Sequence, residues 1–252
     1  MYPVLFRVAG LEITSFGVMV ALGALAGAWL FGRELDARRM GYASNLAFVG
    51  LLGGLVGAKL LWVAEHRGEE PVLALLTSRG GLSWFGGLVG GVGVGLLVVL
   101  HRRWPLVPLL AAAAPAIALG QALGRVGCFL VGDDYGLPTS LPWGVAFPRG
   151  LPPTLVRVHP TQLYEAAFLG TLALLLLRWR ARGTRDRLLL ARYALLAGVF
   201  RFGLEFVRTN VRVAGGLTVA QYASIGLLAA GLWLLLSARP EPQREPASGH
   251  GP

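Results

Sequence analysis

The chain has 252 residues, of which 55% are hydrophobic and 14% are charged, and its formal net charge is +10. A soluble domain carries about 25% charged residues, so this composition excludes an ordinary soluble protein and predicts a membrane protein. The basic excess indicates membrane topology and affinity for anionic lipid rather than nucleic-acid binding. The single cysteine, Cys128, excludes an intrachain disulfide and a cysteine-based metal cluster, and we expect no metal and no cofactor.

Seven segments are predominantly apolar and approach the roughly 20 residues that a helix needs to cross a bilayer. They are residues 15–32, 45–64, 84–100, 105–123, 162–177, 188–206 and 217–236. The pattern predicts an all-α polytopic membrane protein with seven transmembrane helices in one domain, residues 1–236. Residues 237–252 are rich in proline and small polar residues and are predicted to be a disordered cytoplasmic tail.

Arginines cluster in alternate connections between the predicted spans, at residues 33–39, 102–103 and 178–187. Lysine and arginine in short loops stay on the cytoplasmic side of the membrane. The sequence therefore predicts a cytoplasmic C-terminus and an N-terminus outside the cytoplasm.

Glycines recur four residues apart in "GGLVGAKLL" of the second span and "SWFGGLVGG" of the third. This spacing lets helix backbones approach closely where lipid provides no hydrophobic drive to associate. The pattern favours tight helix packing. An alternative, which packing does not exclude, is that Gly86 and Gly87 leave space for an acyl chain or a headgroup.

Charged residues inside or beside spans are costly in a membrane and usually mark a site. They are Lys59, Arg125, Glu165, Arg201 and Glu205. In "RFGLEFVR", the spacing i, i+4, i+7 predicts that Arg201, Glu205 and Arg208 share one helical face. A plain ion pair between Arg201 and Glu205 is the alternative for the first two.

The stretch "GRVGCFLVGDDYG" places Arg125, Asp133 and Asp134 among glycines, where the backbone can turn and expose amides to an anion. In "HPTQLYE", helical spacing brings Glu165 onto the face of Gln162. The segment 128–160 between them is either a flexible linker or a shaped external cap over a site, and its charged and aromatic ends favour the cap. Several arginines, amides and a carboxylate around one lipid-accessible cavity suit a phosphate.

An ordered series of motifs along nearly the whole chain resembles the prolipoprotein diacylglyceryl transferases of bacterial inner membranes. The motifs are "SFGVMVALG", "GGLVGAKLLWV", "GGLSWFGGLVGG", "GRVGCFLVGDDYG", "HPTQLYE", "RFGLEFVR" and "LTVAQYASI". The resemblance implies a seven-helix membrane enzyme with a periplasmic N-terminus, whose donor is phosphatidylglycerol, and we expect it to be a monomer. It implies transfer of the diacylglyceryl group to the lipobox cysteine of prolipoproteins, with release of glycerol phosphate.

The resemblance also implies roles for individual residues. Arg125 matches the signature arginine that holds the phosphate, and Arg201 and Glu205 match the pair beside the donor headgroup. Together with the glycine and charge patterns above, the resemblance predicts a catalytic set of Arg125, Arg201, Glu205, His159 and Asp133. The predicted substrate-binding set is Lys59, Gly86, Gly87, Gly136, Gln162, Tyr164, Glu165 and Arg208.

The chain departs from the family pattern at several positions. Phe85 replaces a histidine, Phe16 a tyrosine and Cys128 an asparagine, Asp133 is a shortened acidic residue, and Lys59 replaces an arginine. Because phenylalanine cannot take a proton, an active transferase needs another base, and His159, Asp133 and Glu205 are the candidates. Positive potential from the arginines would favour ionisation of the substrate thiol and would also stabilise the negative charge on the leaving group.

Other functions remain open at this stage. A divergent paralogue acting on another acceptor and an inactive relative fit the same motifs. A lipid or anion transporter would show inverted halves with paired broken helices, and the sequence contains no convincing internal repeat. A structural scaffold would leave the stripe at Arg201, Glu205 and Arg208 without a purpose. A non-enzymatic phospholipid-binding protein remains an alternative.

Overall fold

The computed structural model describes residues 4–8, 11–78 and 81–237, which are mostly helical. Eight α-helices lie in these ranges: α1 (Ser15–Asp36), α2 (Leu46–Glu65), α3 (Val72–Thr77), α4 (Trp84–His101), α5 (Leu106–Val131), α6 (Thr161–Ala181), α7 (Asp186–Leu204) and α8 (Val219–Leu236). Two antiparallel hairpins accompany them, β1 (Val4–Val8) with β2 (Leu11–Thr14) and β3 (Val145–Phe147) with β4 (Thr154–Val158). The predicted tail lies outside the described residues from position 238 onward.

Each predicted span coincides with a helix, and four helical segments are long and apolar enough to cross a membrane. These are Ser15–Asp36, Gly41–Glu65, Leu106–Val131 and Val219–Leu236. The apolar stretch Phe85–His101 is shorter, and α6 and α7 carry several charged residues. The structure supports a helical membrane protein, whereas the count of seven spans stays a prediction; the short helix α3 is additional to the predicted helices.

Helix α5 lies at the centre of the larger helical group, against α1, α6 and α7, and α8 packs on α7. Its buried positions are mostly alanines, which let its neighbours approach. The contact with α1 is closest at Gly23 and Gly120, where a Cβ on either glycine would lie within 3.0 Å of the other's carbonyl oxygen. At the centre of the protein, small residues therefore let the helix backbones pack closely against each other.

Helices α2 and α4 form a second group that packs mainly on itself and on α3. A Cβ added at Gly57, Gly86 or Gly90 would overlap the backbone of the facing helix. The prediction that these glycines pack helices is confirmed for Gly86 by this geometry, while headgroup binding at Gly86 and Gly87 stays a prediction. The pair joins the rest of the protein near Val99, which is buried against α1 and α5 residues.

Four charged side chains form what we call the basal cluster, at the helix ends where the arginine-rich connections lie: Glu34, Arg38, Arg180 and Asp186. Glu34 accepts a hydrogen bond from Arg38 Nη1 at 2.8 Å. Arg180 Nε lies 2.8 Å from the other carboxylate oxygen of Glu34 as an ion pair. Arg38 Nη2 also lies 2.7 Å from Asp186 Oδ1. The cluster ties α1, α6 and α7 together, and sequence reasoning missed it.

The segment 128–160 is folded rather than an unstructured linker. Helix α5 ends at Gly132, which adopts a left-handed conformation with φ 76°. The carbonyl of Gly132 accepts a hydrogen bond from Leu151 N at 2.9 Å. Phe147 is 1% exposed and stacks on Tyr135 with 5.4 Å between ring centroids. The segment therefore has its own buried aromatic centre; we call residues 128–160 the cap, and its position over a site on the outer face stays a prediction.

Candidate functional site

Four charged side chains form a closed ring of alternating charge at the end of α5 and the start of α6. Arg125 Nη1 lies 2.5 Å from Asp134 Oδ2, and Arg125 Nε lies 2.9 Å from Glu165 Oε2. Arg208 repeats both contacts from the other side, 2.9 Å from Asp134 Oδ1 and 2.6 Å from Glu165 Oε1. We call this set, Arg125, Asp134, Arg208 and Glu165, the arginine ring.

Local structure explains why the arginine ring closes. Arg125 lies in the last two turns of α5 and Glu165 in the second turn of α6, and these two helices pack together. After Gly132, Asp134 adopts φ 60°, a left-handed conformation that aspartate tolerates better than most residues. This turn folds the carboxylate of Asp134 back toward Arg125.

Arg208 reaches the arginine ring from outside a helix. The prediction that Arg201, Glu205 and Arg208 share one helical face is wrong, because α7 ends at Leu204 and a 3-10 turn follows at Glu205–Val207. Arg208 itself is extended, with φ −97° and ψ 161°. An isolated antiparallel bridge pairs it with Gly136, so the cap backbone fixes its position.

Gly136 is required by this close approach. A Cβ at that position would overlap the carbonyl oxygen of Val207 and the side chains of Thr161 and His159. The amide of Leu137 donates to Val207 O at 2.8 Å. The structure thus gives Gly136 a positioning role, in which it lets the cap approach the segment that carries Arg208.

Arg201 and Glu205 form a second ion pair next to the arginine ring, which was the alternative noted for these two residues. Arg201 Nη1 lies 2.6 Å from Glu205 Oε2, and Asn210 Nδ2 donates to Glu205 Oε1. Glu205 is 2% exposed. Arg201 is also within electrostatic reach of Glu165 and Arg125, so its positive charge adds to the potential at the site.

Two buried side chains of α6 hold the acidic turn in place. Gln162 Nε2 donates to the carbonyl oxygen of Asp133 at 2.5 Å, and Thr161 Oγ1 donates to that of Asp134 at 2.9 Å. Both side chains are 0% exposed. The "HPTQLYE" motif therefore positions "GDDYG", and Gln162 acts on the backbone of the acidic turn.

The two aspartates of this turn differ in their acidity. Burial raises the pKa of the Asp133 carboxyl above its ordinary value, despite a hydrogen bond with the Cys128 thiol. For Asp134, burial acts in the same direction, but Arg208 and Arg125 outweigh it and hold its pKa below the ordinary value. Asp134 is therefore a permanent anion near neutral pH, while Asp133 is the better proton acceptor.

A hydrogen-bonded chain of three side chains connects the cap to α6. Trp143 Nε1 donates to Tyr164 Oη at 2.7 Å, and Tyr164 Oη lies 3.3 Å from His159 Nδ1. The hydroxyl of Tyr164 therefore links the indole of Trp143 to the imidazole of His159, and the histidine tautomer decides which of the two donates in the second contact. Sequence reasoning identified His159 and Tyr164 but missed Trp143, whose only signal was an aromatic residue inside the cap.

Three predicted substrate-binding residues lie in the α2–α4 pair and not in the arginine ring: Lys59, Gly86 and Gly87. Lys59 Nζ donates to Ser78 O and Ser78 Oγ, both at 2.9 Å, and lies 4.7 Å from the centre of the Trp62 ring. In the ranges described, no group of three or more His, Cys, Asp or Glu residues is placed to hold a metal ion.

Known proteins resemble this chain over nearly its whole length. A family model described as prolipoprotein diacylglyceryl transferase matches residues 3–237. The phosphatidylglycerol–prolipoprotein diacylglyceryl transferase of Clostridium tetani is 33% identical over 243 residues, which cover 93% of this chain and 96% of the relative. Its counterpart from Vibrio vulnificus strain YJ016 is 31% identical over 250 residues, covering 92% and 90%.

Proposed function

Since the chain belongs to the prolipoprotein diacylglyceryl transferase family, we propose how its arginine ring serves the transfer of a diacylglyceryl group from phosphatidylglycerol to a prolipoprotein cysteine. In this reaction the cysteine sulfur forms a bond to the glycerol carbon that carries the phosphate. The bond between that carbon and the phosphate oxygen breaks, and glycerol phosphate leaves. The thiol proton passes to a base of the enzyme.

The observation that carries the proposal is the bridging position of Asp134. One carboxylate oxygen faces Arg125 and the other faces Arg208, which is how a phosphate bridges two guanidinium groups. The side chain of Asp134 is also 45% exposed, whereas that of Glu165 is 6% exposed. Asp134 therefore occupies the accessible side of the arginine ring, and the donor phosphate replaces it there.

Displacement of Asp134 leaves the rest of the site intact. Glu165 keeps both Arg125 and Arg208 oriented from the buried side through its two oxygens. The exchange replaces one anion by another, so the charge balance of the arginine ring is kept. Arg201, whose side chain is 28% exposed next to the ring, adds positive potential as charge develops on the leaving phosphate oxygen.

Asp133 is our candidate for the proton acceptor, because it is adjacent in the chain to Asp134 of the arginine ring. Its raised pKa makes this carboxylate a stronger base than an ordinary aspartate. His159 Nδ1 is already engaged by Tyr164 Oη, 3.3 Å away. We therefore assign proton transfer to Asp133 and a cap-positioning role to the chain formed by Trp143, Tyr164 and His159.

The proposed placement is in the bacterial inner membrane, as a monomer. The arginine ring and the cap face the periplasm, where lipobox cysteines arrive, and the basal cluster faces the cytoplasm. The arginine-rich connections at residues 33–39, 102–103 and 178–187 support this orientation.

The test is transfer by the purified protein in phosphatidylglycerol bilayers with a lipobox peptide. Mass spectrometry should detect a thioether-linked diacylglyceryl peptide. A peptide with serine in place of the cysteine, and bilayers of phosphatidylcholine alone, should yield no product. Absence of product from the cysteine peptide, with folded protein, would contradict the transferase assignment.

A further inference from the structure

A cleft of about 800 Å³ lies between α2 and α4 at the end of the protein opposite to the arginine ring. Glycines bring the two helices into close contact at Gly53, Gly57 and Gly90, and the cleft is lined by larger side chains toward the start of α2 and the end of α4. Val49 of α2 and Val94 and Val98 of α4 line the cleft, together with His101, Arg102 and Trp104 at the end of α4. The volume falls within the roughly 300–1,000 Å³ that small-molecule sites occupy.

The lining changes from apolar to basic along the cleft. Leucines and valines form the walls between the helices, and His101 and Arg102 lie at the mouth, where α4 ends. Arg102 is exposed, and among the described residues no carboxylate forms an ion pair with it. The cleft thus combines an apolar interior with an available cation.

Two aromatic residues at the mouth mark the level of the lipid headgroups. The rings of Tyr42 and Trp104 lie 5.3 Å apart, and tyrosine and tryptophan are enriched at membrane interfaces. Arg102 and His101 are at the same level, in one of the arginine-rich connections. An occupant must therefore have an apolar part at membrane depth and an anionic part at the interface.

We propose that this cleft binds one anionic phospholipid of the cytoplasmic leaflet, with an acyl chain between α2 and α4 and its phosphate at Arg102 and His101. The site is separate from the donor site, because Arg125 and Glu165 lie at the opposite helix ends. It needs no residue of the arginine ring, so the proposal stands independently of the transfer reaction.

The test uses full-length protein in bilayers that contain a photoactivatable phospholipid with a diazirine on its acyl chain. Phosphatidylglycerol and phosphatidylcholine probes carry the same chain, and mass spectrometry maps the crosslinks. Phosphatidylglycerol should label residues 45–49 and 94–98 about five-fold more than phosphatidylcholine, as expected for one basic residue near the membrane surface. Labelling on the lipid-facing side of α2, at Leu51 and Leu55, should not discriminate.

Two pairs of variants separate the cleft from general attraction of anionic lipid. Arg102→Gln should abolish the headgroup preference, and Arg103→Gln, one residue outside the lining, should retain it. Val98→Trp should fill the cleft and reduce labelling there, and Leu100→Trp on the exposed side should not. Equal labelling by both probes, an unchanged preference in Arg102→Gln, or crosslinks to a second protein chain in place of lipid would overturn the proposal.

Discussion

The basal cluster and the arginine ring use the same chemistry at opposite ends of the helices, with two arginines and two carboxylates in each. Both contain partly exposed members, and they differ at the carboxylates that bridge two arginines. Glu34, which bridges Arg38 and Arg180 in the basal cluster, has a side chain that is 3% exposed. In the arginine ring, Asp134 is 45% exposed and Arg125 is 24% exposed. Charge balance does not distinguish a structural network from a ligand site here, whereas the accessibility of one bridging carboxylate does.

The largest expected effect is on the basal cluster. Glu34→Ala removes the carboxylate that the buried Arg38 shares with the partly exposed Arg180, and breaking a buried pair costs about 3–5 kcal/mol. We expect the melting temperature in detergent to fall by roughly 10 °C. The matched control is Glu12→Ala, which removes an exposed partner of Arg7. This variant should keep the melting temperature of the wild type. Equal stability of the two variants would contradict a structural role for the basal cluster.

The second prediction concerns the cations of the site. Arg125→Ala and Arg201→Ala should each reduce transfer by about 10²–10³-fold, the loss typical of one preorganised donor at a developing negative charge. Both proteins should remain inserted in the membrane. Arg149→Ala changes an exposed arginine of the cap and should retain activity. If either variant keeps full activity, the arginine that it lacks does not bind the phosphate.

The pH profile of transfer separates the two candidate bases. A base must be deprotonated to act, so a carboxyl with a raised pKa loses activity as the pH falls through that value. Asp133→Asn should lower the rate about 10²-fold and remove the acid limb, while His159→Ala should keep the limb. The opposite result would assign proton transfer to His159.

A smaller effect is expected at the exposed carboxylate of the arginine ring. Asp134→Asn removes the anion that competes with the donor phosphate, so KM for phosphatidylglycerol should fall several-fold at nearly constant kcat. Asparagine keeps the size and one oxygen acceptor, which limits structural change. A raised KM would show that Asp134 orients the arginines and is not displaced. Asp134 would then have the same structural role as Glu34 in the basal cluster.

The smallest effect is expected at Lys59, which lies in neither charged network. Lys59→Arg keeps the positive charge near Ser78 and Trp62, so transfer should stay within about two-fold of the wild type. Initial rates in the bilayer assay measure this, with Arg125→Lys as a comparison. Strong inhibition by Lys59→Arg would indicate that an ammonium group contacts the donor.

Sequence reasoning located the helices well because apolar length is a local signal. It also identified Arg125, Glu165 and Arg208, since charges beside spans are rare and conspicuous. It could not predict that Asp134 closes the arginine ring, because that depends on a left-handed turn and on a cap that brings distant segments together. The basal cluster was missed for another reason, as the arginines near its helix ends were fully explained by topology.

Gly57, Gly86 and Gly90 form a glycine seam between α2 and α4. This seam determines which substitutions each side of the two helices tolerates. At Gly57, Gly86 and Gly90 a single added methyl group would overlap the facing backbone. On the outer side, Leu55 and Val89 are 57% and 70% exposed and would exchange with any apolar residue. In a saturation mutagenesis survey, glycine-to-alanine changes along the seam should therefore be more harmful than valine-to-leucine changes facing the lipid, although both are among the most conservative changes available.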